Sequence, residues 1–69
     1  MSNKWAQISN QWDQFAIEAK KQWVELTDDE LMRVEGHRNN LARFVQDRYF
    51  TTKKEAHDQI DMWIERLKI

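Results

Sequence analysis

Few side chains in this 69-residue chain could do chemistry. His37 and His57 are its imidazoles, and His57 stands four residues before Asp61, with Asp58 nearby. On a helix that spacing places an imidazole and a carboxylate on one face, the beginning of a zinc site or a general-base pair. A zinc site needs three or four ligands, and the chain has no cysteine to complete the set. A solvated surface pair is therefore the expected reading. The run Asp28-Asp29-Glu30 could offer oxygens to a cation. Consecutive residues at a helix start point in different directions, however, and the ligand spacing of a calcium loop is missing. No nucleophile–base–orienter set and no glycine-rich phosphate loop can be read. The chain is expected to be no enzyme and to hold no metal or cofactor.

A second group is richer. Arg38, Asn39, Asn40, Arg43 and Gln46 fall within one helical segment, and these residue types read guanine and adenine edges. The short helix before them and the Gly36 turn imitate a helix-turn-helix, in which the second helix enters the major groove. Against that reading, Met32 is bulky where such motifs need a small residue facing the turn. The whole chain, with 11 basic and 12 acidic groups, would draw little from phosphate attraction. A solvated polar face is the simpler account, and weak nucleic-acid binding is kept as the alternative.

The elements that would position these residues are organised around Leu26–Gly36, reading LTDDELMRVEG. Thr27 and Glu30 have the spacing of a capping box, and Leu26 and Leu31 that of a hydrophobic staple. Asp28, Asp29 and Glu30 set negative charge at the positive end of the helix dipole. Gly36, the only glycine, permits a left-handed helix stop, so the spacing predicts a short helix over Asp28–Val34. Before it, Trp5, Ile8, Trp12, Phe15 and Ala19 recur at steps of three and four. That stripe predicts one amphipathic helix from Lys4 to Glu25, roughly 33 Å long at 1.5 Å per residue, with Ser2 or Asn3 as its cap. A third helix is predicted from Arg38 to Phe50, with Leu41, Phe44, Val45 and Tyr49 on its apolar face. Thr52 and Glu55 form a second candidate capping box, opening a last helix that carries Ala56, Ile60, Trp63, Ile64 and Leu67.

The chain therefore reads as one all-α domain over residues 1–69: a small three- to four-helix bundle with one long N-terminal helix, a short capped helix and two further helices. The expected core is Trp12, Phe15, Trp23, Leu31, Leu41, Phe44, Val45, Ile60, Trp63 and Leu67. Four tryptophans are many for this length. Trp5 and Trp63 lie near the chain ends, and one of them left at the surface would invite self-association. No apolar run reaches membrane-span length, and the start MSNKWAQ lacks a signal peptide's apolar core. The first helix is amphipathic, but its polar face lacks the lysine and arginine density of a membrane-surface helix.

From Trp12 to Trp63 the chain resembles the CsbD-like family of small, hydrophilic bacterial general-stress proteins. The resemblance is carried by Trp12, Trp23, Leu26-Thr27-Asp28-Asp29, Glu35-Gly36, Arg38, Leu41, Gln46, Arg48-Tyr49, Lys53, Ala56 and Trp63. LTDD followed by EG-x-R and QxRY at these intervals is specific in combination. The resemblance implies a compact helical bundle made under stress in the bacterial cytoplasm. It implies a non-enzymatic protein of unknown molecular activity, working through an unknown macromolecular partner. Where the family tends to place glycines, this chain has Ala16, Val24, Arg43 and Phe50. Those exchanges favour helix, since glycine costs about 1 kcal/mol relative to alanine in a helix interior. With no glycine at Phe50, Thr51 and Thr52 are left to turn the chain.

The capping box yields a direct expectation. Thr27→Ala should lower unfolding free energy by about 1 kcal/mol, read as a reduced melting midpoint by circular dichroism. An unchanged midpoint would remove Thr27 from the cap.

Overall fold

The computed structural model describes residues 4–69. The caps expected at Ser2 or Asn3 lie outside the described residues. Among the described residues five helices follow one another: α1 (Lys4–Asn10), α2 (Trp12–Gln22), α3 (Asp28–Val34), α4 (Arg38–Tyr49) and α5 (Lys53–Leu67). They fill a body of 28 × 24 × 18 Å. Among the described residues no helix is long and apolar enough to cross a membrane.

The long first helix expected from Lys4 to Glu25 is broken, and five helices replace the expected three or four. At Gln11 the backbone leaves the helical region (φ −124°, ψ 39°), and its N–H bonds back only three residues, to the Ile8 carbonyl. Neither proline nor glycine causes this. Ile8 before the break and Trp12 after it are both buried, and Trp5 and Trp12 each donate to a carbonyl near the end of α3. The second departure comes at Trp23. This residue leaves the helix (φ −121°, ψ 79°) while its N–H bonds the Ala19 carbonyl. Its ring turns into the core edge-on to Trp63, centroids 5.3 Å apart. Helix propensity at Val24 and Glu25 amounts to tenths of a kcal/mol per residue. Burying Trp23 and Leu26 together outweighs it.

Both capping boxes form. The Glu30 N–H donates to Thr27 Oγ1 at 3.1 Å, and the Thr27 N–H donates to Glu30 Oε1 at 2.9 Å. Thr52 and Glu55 repeat the pair at the start of α5, at 3.1 and 2.9 Å. Leu26 and Leu31, the staple pair, are both buried. At its far end α3 stops through two left-handed residues, Glu35 (φ 53°) and Gly36 (φ 76°). Gly36 is held by close approach as well as by its dihedral. A Cβ there would lie 2.7 Å from Ser9 Oγ and 3.0 Å from the Ser9 carbonyl oxygen.

The core is one cluster to which every helix contributes, Ile8, Ala19, Leu26, Val34, Leu41, Val45 and Ile60 among its fully buried members. Of the expected core, Phe15, Phe44 and Leu67 are half-buried and pack on its margin. Trp63 is fully inside, and Trp5 is half-buried against the cluster. Long aromatic and aliphatic side chains at helix edges cover the core, while small residues such as Ala19, Ala42 and Ala56 let the helices approach.

The end of α4 also departs from expectation. Thr51 and Thr52 do not make the turn alone: Phe50 itself takes the left-handed conformation (φ 54°) after α4 ends at Tyr49. Its ring is 92% exposed, so no packing offsets the strain, which is about 1–2 kcal/mol for a residue with a Cβ. Phe50→Gly should therefore raise stability by about 1 kcal/mol. In a domain of this size that is a rise of roughly 4–8 °C in Tm, measurable by thermal unfolding. A lower midpoint would mean that Phe50 contributes contacts not visible in this packing.

Candidate functional site

Arg38 opens α4, and its side chain crosses to α5. Its Nε donates to His57 Nδ1 at 3.1 Å, and one Nη donates both to the His57 carbonyl at 3.1 Å and to Asp61 Oδ1 at 2.6 Å. The His57/Asp61 pair does share a face of α5, but a guanidinium stands between its two members, where a metal ion would have to sit. Among the described residues no three His, Asp or Glu side chains gather as a metal site requires. The Nδ1 acceptor makes His57 a neutral imidazole carrying its proton on Nε2. Burial holds its pKa below the ordinary histidine value, and the charges of Arg38 and Lys53 push the same way against Asp61 and Asp58.

The five residues proposed for a nucleic-acid face are not gathered on one surface. Arg38 is committed to α5. The Asn40 side chain is half-buried, its amide donating to the Val34 carbonyl at 3.4 Å, and Gln46 is half-buried as well. Asn39 and Arg43, one turn apart, are exposed. Met32 is also outward, 73% exposed, rather than turned toward the α3–α4 connection.

The hub residues form a tighter group. Both Glu30 oxygens receive the Arg48 Nε, at 3.2 and 3.1 Å, while Oε1 also holds the Thr27 N–H. One carboxylate thus caps the start of α3 and ties it to the last turn of α4. The Thr27 N–H is the main cause of a Glu30 pKa below the ordinary carboxylate value; Arg48 adds to it, against partial burial. Asp29 pairs with Arg33 at 3.0 Å along α3, and Asp28 lines a groove between α2 and α3. The three acids therefore diverge to three separate surroundings. Next to Arg48, the Tyr49 hydroxyl accepts from the Glu25 N–H at 3.1 Å, bridging α4 to the α2–α3 connection. The cross-links made by Arg38 and Arg48 span 18 to 23 residues. No local pattern signals them.

The chain is 41% identical over 59 residues to a UPF0337 protein of Bordetella pertussis, covering 86% of this chain and 89% of that one. It is 40% identical over 62 residues to a UPF0337 protein of Pectobacterium atrosepticum, covering 90% of each. The UPF0337 protein YjbJ of Escherichia coli K12 is 38% identical over 55 residues, 80% of each chain. No family model matches the chain, and no solved structure matches it significantly.

The burial of His57, with the charge of Arg38 beside it, makes stability depend on pH with a definite sign. Because the folded-state pKa of His57 is lowered, the unfolded chain takes up this proton more readily. The contribution is complete above the unfolded value of about 6.5 and is lost as pH falls below it toward the folded value. Lowering pH from about 7.5 to about 5.5 should reduce the melting midpoint, and His57→Gln should flatten that part of the profile. Further loss below about pH 4.3 should persist in that variant. It comes from Glu30 and Glu55, both of which have lowered values in the folded state. A profile unchanged by His57→Gln would disconnect His57 from the acid sensitivity.

Proposed function

This chain belongs to the UPF0337 family of small bacterial proteins, and from that premise we propose that it is a non-enzymatic stress-response protein of the bacterial cytoplasm, acting by contact with other macromolecules. The proposal includes the identification of this family with the CsbD-like general-stress proteins. The observation that carries the reading is the use to which the resemblance residues are put. Thr27 caps α3, Gly36 admits Ser9, and Arg38 straps α4 to α5. Arg48 binds the capping carboxylate, and Tyr49 holds the Glu25 backbone. The shared positions are thus spent on holding helices together, which supports a module that works through its surface.

The deciding experiment is a deletion strain compared with its parent under osmotic shock, peroxide and prolonged stationary phase. Survival should drop under at least one stress and return when the chain is supplied. Equal survival under all three would remove the stress role. Nucleic-acid binding through α4 is the second reading, favoured by Asn39 and Arg43 sharing an outward face. Progressive, salt-sensitive movement of their amide resonances on titration with duplex DNA would put it first.

A further inference from the structure

Large apolar side chains more than half exposed are few among the described residues: Ile17, Val24, Met32, Phe50 and Met62. Two of them, Ile17 at 63% and Met32 at 73% exposed, border one groove of about 420 Å³ between α2 and α3. Its floor is carbon, from Ala16, Ile17, Leu31 and Met32. Its charges are sorted by wall: Lys20 and Lys21 come from α2, and Asp28 comes from the start of α3. The Lys20 ammonium is turned to the Leu26 carbonyl at 2.6 Å, which lays its stem along the wall. Lys21 meets Glu18 at 3.5 Å, both well exposed. Such a surface pair is worth little and exchanges readily.

We infer that this groove is a homodimer interface, closed by the same groove of a second copy of the chain. A two-fold axis running along the groove exchanges its walls. Each α2 wall then faces the other copy's α3 wall, and Lys21 meets Asp28 twice. The same operation brings Ile17 and Met32 of the two copies together and removes them from water. A self-complementary patch of this kind is what an isologous dimer requires. A net charge of −1 leaves little long-range repulsion between copies. The inference deepens the contact-driven reading above and names one partner. It is read on purified protein and not on survival, so either can fail without the other.

Sedimentation velocity across a micromolar-to-millimolar series should show a reversible monomer–dimer equilibrium. Met32→Lys should weaken it by at least about tenfold with unchanged circular dichroism, since this side chain is already outward. Lys21→Glu sets two negative charges face to face at each Lys21–Asp28 contact and Asp28→Lys sets two positive ones there, so each variant alone should be monomeric and an equal mixture, which restores opposite charges at both contacts, should dimerise. A wild-type monomer throughout the series would overturn the inference, and would leave the groove to a different protein. So would a mixture that stays monomeric, or a Met32→Lys variant that dimerises like the parent.

Discussion

The indole of Trp12 is buried at the start of α2, and its N–H donates to the carbonyl of Leu31 at 2.7 Å. Much of the molecule follows from that one bond. A buried N–H without an acceptor costs roughly 1–3 kcal/mol, a serious fraction of the stability of so small a domain. Leu31 offers its carbonyl because α3 is ending: the Glu35 N–H turns to Met32, three residues back, instead of to Leu31. Trp5 completes the arrangement by donating to the Gly36 carbonyl at 3.1 Å. Two tryptophans from the first two helices thus satisfy the end of the third. Their rings stand 6.1 Å apart. To serve both carbonyls, the chain breaks at Gln11.

The same economy holds at the other end of the core. Trp23 stacks edge-on with Trp63 and donates to Gln59 Oε1 at 3.0 Å, so the chain emerging from α2 is tied to the middle of α5. Arg66 reaches back to Gln22 at 3.1 Å. With no disulfide to constrain it, the domain relies on these long-range donors to give a small core a single arrangement. Arg38 and Arg48 extend the principle to the surface. Each lies near one end of α4 and grips a different neighbour, α5 in one case and α3 in the other. Helix α4 is therefore held at both ends, and its outward face is the part free to vary.

That division separates the residues that hold the helices together from those the fold leaves outward. A capping threonine, a glycine against which another helix packs, and two bridging arginines are demanding positions. Each answers a definite geometric need: an oxygen at a helix start, room for Ser9 against the backbone, or a cationic reach to a neighbouring helix. The outward residues Ile17, Met32, Asn39, Arg43 and Phe50 answer no such need within the fold. Function carried by contact would lie among them, on surfaces such as the α2–α3 groove that the scaffold presents.

The sequence by itself determined what depends on residues a few positions apart. Both capping boxes, the bounds of α3, the start of α4 and the apolar stripes of α4 and α5 were legible, because each rests on bonds or periodicities spanning three or four residues. The candidate site was legible only as a roster. Arg38, His57 and Asp61 stood out singly, but that the arginine joins the other two could not be read across 19 and 23 residues. Tertiary structure alone decided where the long amphipathic pattern breaks, because Gln11 and Trp23 leave the helix to satisfy buried indoles and not for any local preference. It also put Glu35 and Phe50 into left-handed conformations that their own chemistry disfavours. Local bonds are set by neighbours in the chain, whereas breaks and strained caps are set by the burial they make possible, and that burial exists only once the helices have met.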